Sequence, residues 1–389
     1  MSAASEPIAN EQESVMSTNT SIQVPLLDLR AQYETIRPEV DDAIRKIMES
    51  CGFIGGPEIK GLEEEIARYS QSAHAVACAS GTDAILMALW TLGIGPGDEV
   101  ISPAYTFFAT AGTIANNGAT PVFVDVDPKT FNIDVHLLEK AITPRTKAVV
   151  AVSLFGQCCD IPAIKAICYK HQIYLIEDAA QSIGSEWEGK RSGSMCDFGT
   201  FSFFPSKNLG GAGDGGMVVT QNAELAEKLR LLCNHGAKPK YYHSLVGTNS
   251  RLDALQAAIL RVKLRHLDRW SEKRAKNAAL YNQLFEGSKV GTPFHDPRTR
   301  HIYNQYIIRV ANRDGLKAHL GEKNIGCEVY YPVPLHVQKC FAHLGYKAGD
   351  MPVSEQAAAE TLALPIYPEL LDEQIRYVAQ TVRDFVEKQ

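Results

Sequence analysis

Between His74 and Glu177 the chain repeats one pattern that leaves few folds open. Short apolar runs at 75–79, 99–102, 121–125, 148–153 and 174–177 alternate with helix-periodic segments near 84–92, 107–117, 135–142 and 161–171. Strands separated by helices cannot pair as hairpins, so they must lie parallel, with helices over both faces of the sheet. This predicts an α/β domain. Two later strands, 200–204 and 217–220, follow without long helical crossovers, so part of the sheet is expected to be mixed. Residues 251–285 keep a helical pattern too long for one ordinary helix, which predicts a bend near Trp270. Strands at 305–310 and 327–331 and a helix at 373–386 then predict a smaller C-terminal α+β domain. The expected division is a large domain over 22–270 and a small one over 271–389. Residues 1–21, rich in Ser, Ala, Glu, Asn and Thr, are expected to be disordered. Pro38 and Pro57 are each expected to open an amphipathic helix, with the turn 52–56 between them.

Three stretches within this frame carry chemistry. In Gly199-Thr200-Phe201-Ser202-Phe203-Phe204-Pro205-Ser206-Lys207 an apolar strand runs into a turn that carries a lysine. A lysine held beside aromatic side chains loses part of its charge by desolvation, which frees the amine to bond a carbonyl carbon. A solvated loop lysine is the ordinary alternative. Upstream, Ile173-Tyr174-Leu175-Ile176-Glu177-Asp178 ends in acids, and strand ends of α/β sheets face the ligand crevice. A carboxylate such as Asp178 can hold a pyridine nitrogen protonated, which is the electron sink that pyridoxal phosphate chemistry needs. In the third stretch, 74–90, a small-residue strand turns at Gly81 and a helix begins at Thr82. Free N–H groups at a helix start suit a phosphate dianion; an ordinary capped helix fits the same letters. Neither the G-x-G-x-x-G nor the Walker spacing is present, so a Rossmann or P-loop nucleotide site has no support.

The segments Ser-Gly-Thr-Asp-Ala, Glu-Asp-Ala-Ala-Gln, Ser-Phe-Phe-Pro-Ser-Lys, Gly-Asp-Gly-Gly (213–216) and Gly-Thr-Asn-Ser-Arg-Leu-Asp (247–253) resemble the DegT/DnrJ/StrS sugar aminotransferases. The resemblance runs from about Val24 to the C-terminus and points to the branch that aminates the 3-keto group of nucleotide-linked hexoses. It implies the pyridoxal phosphate-dependent transferase fold type I, with Lys207 bonding the cofactor and Asp178 facing its ring nitrogen. It also implies Gly81, Thr82 and Ser202 at the phosphate, Phe107 against one face of the ring, and Gln181 at the ring hydroxyl. Asn249 and Arg251 are placed by it on a loop that crosses a homodimer interface, where the asparagine meets the neighbour's cofactor phosphate. Tyr331 and His336, in Tyr330-Tyr331-Pro332-Val333-Pro334-Leu335-His336, fall in the segment that faces substrate. Taken singly, Phe107 also reads as core, Gln181 as a turn amide, Ser202 as structural, and Asn249 and Arg251 as part of a helix cap. The run Lys238-Pro239-Lys240-Tyr241-Tyr242-His243 combines cations with aromatics and suits either a pyrophosphate clamp or a solvated loop.

The reaction so implied moves an amino group from an amino acid, by resemblance L-glutamate, to a keto sugar in two half-reactions. Relatives that dehydrate the sugar carry histidine in place of the lysine, so Lys207 argues for transamination. A cofactor-binding regulator without turnover is the other alternative. Composition adds limits. With a net charge of −6 the chain offers no general attraction for nucleic acid or an anionic membrane. Nine scattered cysteines, two of them adjacent at 158 and 159, and no zinc spacing fit reduced thiols in a cytoplasmic protein without a bound metal. No apolar run approaches the ~20 residues of a membrane span.

Overall fold

A computed structural model describes residues 22–388, so the expectation for residues 1–21 lies outside the described residues. Twelve strands form among these: β1 (His74–Cys78), β2 (Glu99–Pro103), β3 (Thr120–Val124), β4 (Thr146–Val152), β5 (Tyr174–Asp178), β6 (Glu186–Trp187), β7 (Lys190–Arg191), β8 (Phe198–Ser202), β9 (Gly216–Thr220), β10 (Thr299–Arg300), β11 (Tyr306–Arg309) and β12 (Thr361–Leu364). Seven of them make the main sheet in the order β1-β9-β8-β5-β4-β2-β3. Only β9 runs against the rest, antiparallel to both β1 and β8, so the sheet is mostly parallel and mixed at one side.

The strands are apolar on both faces because both faces are covered. Val76, Val100, Val150, Ile176 and Val218 point to one side, under the helices Gly81–Thr91 and Ala223–Cys233. Their neighbours Ala75, Ala77, Met217 and Val219 point to the other, beneath Pro57–Tyr69 and Ala254–Leu264, while Ile101, Val149 and Leu175 pack under Ile161–His171. Every alternation is the period of two that a strand imposes.

A separate core lies beyond the sheet. The antiparallel pair β11–β12, in register Tyr306↔Leu364, packs with the helices Leu267–Phe285, Arg313–Glu322 and Asp372–Glu387 around Tyr281, Tyr306, Leu316, Leu362 and Val378. Val24 joins this core through a bridge to Ile325, so the first described residues fold with the C-terminal part.

Several local expectations are corrected. The long helical stretch breaks at Arg265 and His266, not near Trp270, which lies inside the helix Leu267–Phe285. Pro38 sits within the helix Leu29–Ser50 rather than opening it. The start is set earlier, where the Asp28 side chain accepts the Ala31 N–H, and at one proline a helix can give up one N–H bond. Residues 327–331 form no strand beyond a single bridge, Glu328↔Ala363, on the outer edge of β12, because the backbone past it bonds side chains instead: the Val329 N–H the Glu328 carboxylate at 2.8 Å and the Tyr331 N–H the Tyr105 hydroxyl at 3.1 Å. Pro57 does open its helix, Pro57–Tyr69.

Candidate active site

The C-terminal ends of β1, β5 and β8 and the start of β9 share one edge of the sheet, and a cleft of about 400 Å³ opens there. Its walls are built from the turns that leave those strands. After β1, Ser80 caps the helix Gly81–Thr91, its side chain accepting the Asp83 N–H at 3.1 Å. Among the described residues no protein acceptor takes the N–H of Gly81 or Thr82, so two donors at a helix start are left facing the cleft. Glycine is required here by space. A Cβ on Gly81 would come within 2.6 Å of the Ser202 Cβ, and one on Gly216 within 2.2 Å of the Ser80 carbonyl oxygen. Gly81, Thr82 and Ser202 thus form a narrow cradle whose donors and helix dipole fit a phosphate.

Deeper in, Asp178 closes β5. It is buried, its Oδ2 accepting the Thr110 hydroxyl at 2.8 Å and its Oδ1 the Ala180 N–H at 3.2 Å. Burial pushes its carboxyl above the usual range, and Thr110, the Ala180 amide and the Lys207 charge pull it back. Lys207 stands in the turn after β8, where its backbone N–H bonds the Phe204 carbonyl at 2.9 Å. The cleft walls enclose its amine and lower its pKa from 10.5 to about 8, against the upward pull of Asp178. A lysine with a reachable neutral form beside a buried carboxylate can bond a carbonyl carbon and carry protons at Nζ. These features fit a pyridine aldehyde phosphate: the cradle for its phosphate, Asp178 for a ring nitrogen, Lys207 for its carbonyl.

Gln181 is pinned at both ends, its Oε1 accepting the Phe155 N–H at 2.7 Å and its Nε2 donating to the Tyr331 hydroxyl at 2.9 Å. Phe107 is exposed on the rim, its ring 5.9 Å from that of Tyr331. All eight of Gly81, Thr82, Phe107, Asp178, Gln181, Ser202, Lys207 and Tyr331 therefore meet in one cleft.

Three of the expected residues do not line it. His336 is buried away from it, with Nε2 bonded to Glu355 at 3.1 Å, because Leu335 docks its N–H on the Ala104 carbonyl and turns the segment inward. That corrects the substrate-facing placement of His336. Asn249 is exposed and bridges Asn234, and the exposed Arg251 donates to the Asn234 side chain at 3.1 Å. Between them Ser250 is buried and donates to Asp83 at 2.7 Å, which fixes this loop against the outside of the cradle. The run 238–243 is exposed as well, with Tyr241 at 79%. Residues missed in the sequence also line the cleft, among them Thr106, Asp214 and Gln305, and Tyr330 joins them from the segment expected to face substrate. Behind it lies Thr110, which the sequence did not single out: Thr106 precedes the helix Ala109–Asn116, so their spacing is not a helix-face pair. Among the described residues no group of three or more His, Cys, Asp or Glu could hold a metal ion, and no helix is long and apolar enough to cross a membrane.

Comparison with known proteins follows the same lines. The model of the DegT/DnrJ/EryC1/StrS aminotransferase family matches residues 34–383. The chain is 52% identical over 367 residues to a "Pleiotropic regulatory protein" of Geobacillus stearothermophilus, covering 94% of this chain and 99% of that protein. It is 46% identical over 368 residues to the UDP-N-acetyl-3-dehydro-alpha-D-glucosamine 3-aminotransferase of Acidithiobacillus ferrooxidans, covering 95% and 99%. A crystal structure of S. venezuelae DesV in complex with a ketimine intermediate matches with a TM-score of 0.92 at 43% identity, covering 94% and 99% of the two chains.

Proposed function

The chain belongs to the DegT/DnrJ/EryC1/StrS aminotransferase family, and on that premise we propose that it moves an amino group from L-glutamate to the 3-keto group of a nucleotide-linked hexose, using pyridoxal 5′-phosphate. One observation carries this reading: Lys207 and Asp178 face the same cleft, with burial pushing the lysine towards its neutral form. When bound, the cofactor would supply an electron sink and an aldehyde that holds the amino group between the two substrates. Gly81, Thr82 and Ser202 bind the phosphate, Phe107 covers one ring face, and Gln181 meets the ring hydroxyl. Asp178 holds the proton on the ring nitrogen. Lys207 Nζ takes the proton from the donor's α-carbon and later gives one to the sugar carbon that becomes C–NH2. The balance is glutamate plus keto sugar to 2-oxoglutarate plus amino sugar. Tyr331 stands where a sugar would enter.

The working unit in this reading is a homodimer with a large domain over 22–270 and a small one over 271–389 in each chain. Asn249 and Arg251 then serve the partner's site, since in their own chain they lie on the surface beside the cradle. Exposed apolar side chains close by, Val246 at 95% and Tyr241 at 79%, would be covered by such a partner. Amino-sugar supply for a surface polysaccharide in the cytoplasm is the biological setting that fits. A cofactor-binding regulator is the second reading, favoured by the name of the Geobacillus relative.

One experiment separates the two. Cofactor-loaded protein is given 15N-glutamate and a panel of nucleotide-linked 3-keto hexoses, and the sugars are analysed by mass spectrometry. Transfer of 15N to one sugar, absent in Lys207→Ala, is the expected result. Cofactor binding with no 15N transfer to any keto sugar would favour the regulator.

A further inference from the structure

The carboxylate of Asp178 is held by a chain of hydroxyls that none of the roles above uses. Thr110, in the first turn of the helix Ala109–Asn116, is wholly buried behind Asp178 and approaches Oδ2 at 2.8 Å, with the buried Thr106 hydroxyl 3.2 Å further back. An ionised carboxylate only accepts hydrogen bonds, so Thr110 must give it its single hydroxyl proton. Thr110 then has only lone pairs to offer Thr106, and Thr106 must donate in turn. Both protons therefore point towards Asp178, and this order is the one that an ionised carboxylate selects.

We propose that Thr110 is a positioning residue that keeps Asp178 ionised and turned towards the cofactor's ring nitrogen, with Thr106 as its supporting donor. The inference rests on the proposed use of pyridoxal phosphate. Burial alone favours the neutral acid, and a neutral Asp178 has no charge to offer a pyridinium. Three groups oppose burial: the Thr110 hydroxyl, the Ala180 amide and the Lys207 cation. Lys207 cannot be a constant counterweight, because its amine must be uncharged to bond carbon or accept a proton. Thr110 is thus the side chain whose support lasts through the whole cycle. Of the other titratable groups nearby, Tyr331 is held neutral by burial, and Glu177 turns away to accept from Ser153, Ser192 and the Gly193 N–H.

Thr110→Val keeps the shape and removes the donor; Thr110→Ser keeps the donor. Two readouts other than turnover are followed in the wild type and both variants. The first is the infrared carboxyl band of Asp178 in cofactor-free protein, assigned by difference from the matching Asp178→Asn background and titrated with pH. The second is the 15N shift of a ring-labelled cofactor in the loaded protein. A hydrogen bond to a charged group is lost in the valine variant, so its carboxyl should titrate about one pH unit higher or more. Its ring nitrogen should lose protonation, serine should restore both signals, and Thr106→Val should shift both in the same direction by less. Valine signals that coincide with the wild type, or a serine variant that behaves like valine, overturn the proposal. If Thr110→Val does not fold, Thr106→Val decides, and no shift in its carboxyl titration overturns the proposal. Wild-type protein that takes up no cofactor would overturn the functional reading itself, and with it the ring-nitrogen part of this one.

Discussion

The lowered pKa of Lys207 makes a prediction that needs no substrate. At pH 7 an amine of pKa about 8 is about 9% neutral, against about 0.03% for one of pKa 10.5, a gain of roughly 300-fold in reactive form. In cofactor-free protein Lys207 should therefore be labelled by a trace of acetic anhydride with a lower pH midpoint than a free lysine side chain, as should Lys263, whose amine burial also lowers to about 8. The measurement is the labelling rate of the Lys207 peptide across a pH series, read by mass spectrometry against a free lysine side chain in the same tube. The rate should rise with pH and level off with an inflection near 8. Asp178→Asn removes the one nearby charge that pulls this pKa up, so the inflection should then fall below about 8. The direction follows from charge: an anion stabilises the ammonium form, and without it the proton leaves at lower pH. An inflection near 10.5 in the wild type, or an upward move in Asp178→Asn, would refute the argument that desolvation tunes this lysine.

Two further outcomes test the cradle and the shared site. Gly216→Ala places a methyl 2.2 Å from the Ser80 carbonyl oxygen, so urea unfolding should show a loss of about 1–3 kcal/mol, whereas Gly81→Ala, pressed on Ser202, should mainly weaken cofactor binding in an absorbance titration. Asn249→Asp chains and Lys207→Ala chains, each inactive alone, should regain up to about half of the wild-type activity when co-expressed, because one site of the mixed dimer has both groups intact; heterodimers confirmed by mass spectrometry but without activity would place Asn249 in its own chain's site.

What the sequence disclosed follows from how local each signal was. The strands of the main sheet are apolar runs bounded by helix-periodic segments, and β1–β5 could be read directly because burial on both faces leaves no other pattern. The cradle and the ends of β5 and β8 were legible for the same reason: glycine, serine, aspartate and lysine at strand ends are departures from an apolar background. Features set by distant packing were not legible. The segment 327–331 has strand-like letters and meets β12 at Glu328, yet the Tyr105 hydroxyl, more than two hundred positions upstream, takes the Tyr331 N–H and ends the pairing. His336 reads, by resemblance, as part of a substrate-facing segment until Leu335 is seen docked on Ala104, which turns the segment into the protein. Thr110 carried no signal by itself, because a threonine in a helix gains meaning only from the carboxylate that another strand brings to it.

The two charged groups at the centre of the cleft also constrain each other. Burial drives Asp178 towards its neutral acid and Lys207 towards its neutral amine, so desolvation alone would leave the pair with no charge at all. Chemistry requires only half of that result: a neutral lysine that can attack carbon, but an ionised aspartate. Lys207 cannot supply the balancing cation without giving up its nucleophilic form. The support that holds Asp178 ionised must then come from elsewhere: the structure offers donors fixed by the fold, at Thr110 and Ala180, and a bound ligand with a cationic ring would add a second source. A site arranged in this way binds a protonated pyridine more tightly than a neutral one, because only the former pairs with the buried carboxylate. The same preference leaves the amine of Lys207 free to lose its proton, so recognition of the ring and activation of the nucleophile are one electrostatic arrangement.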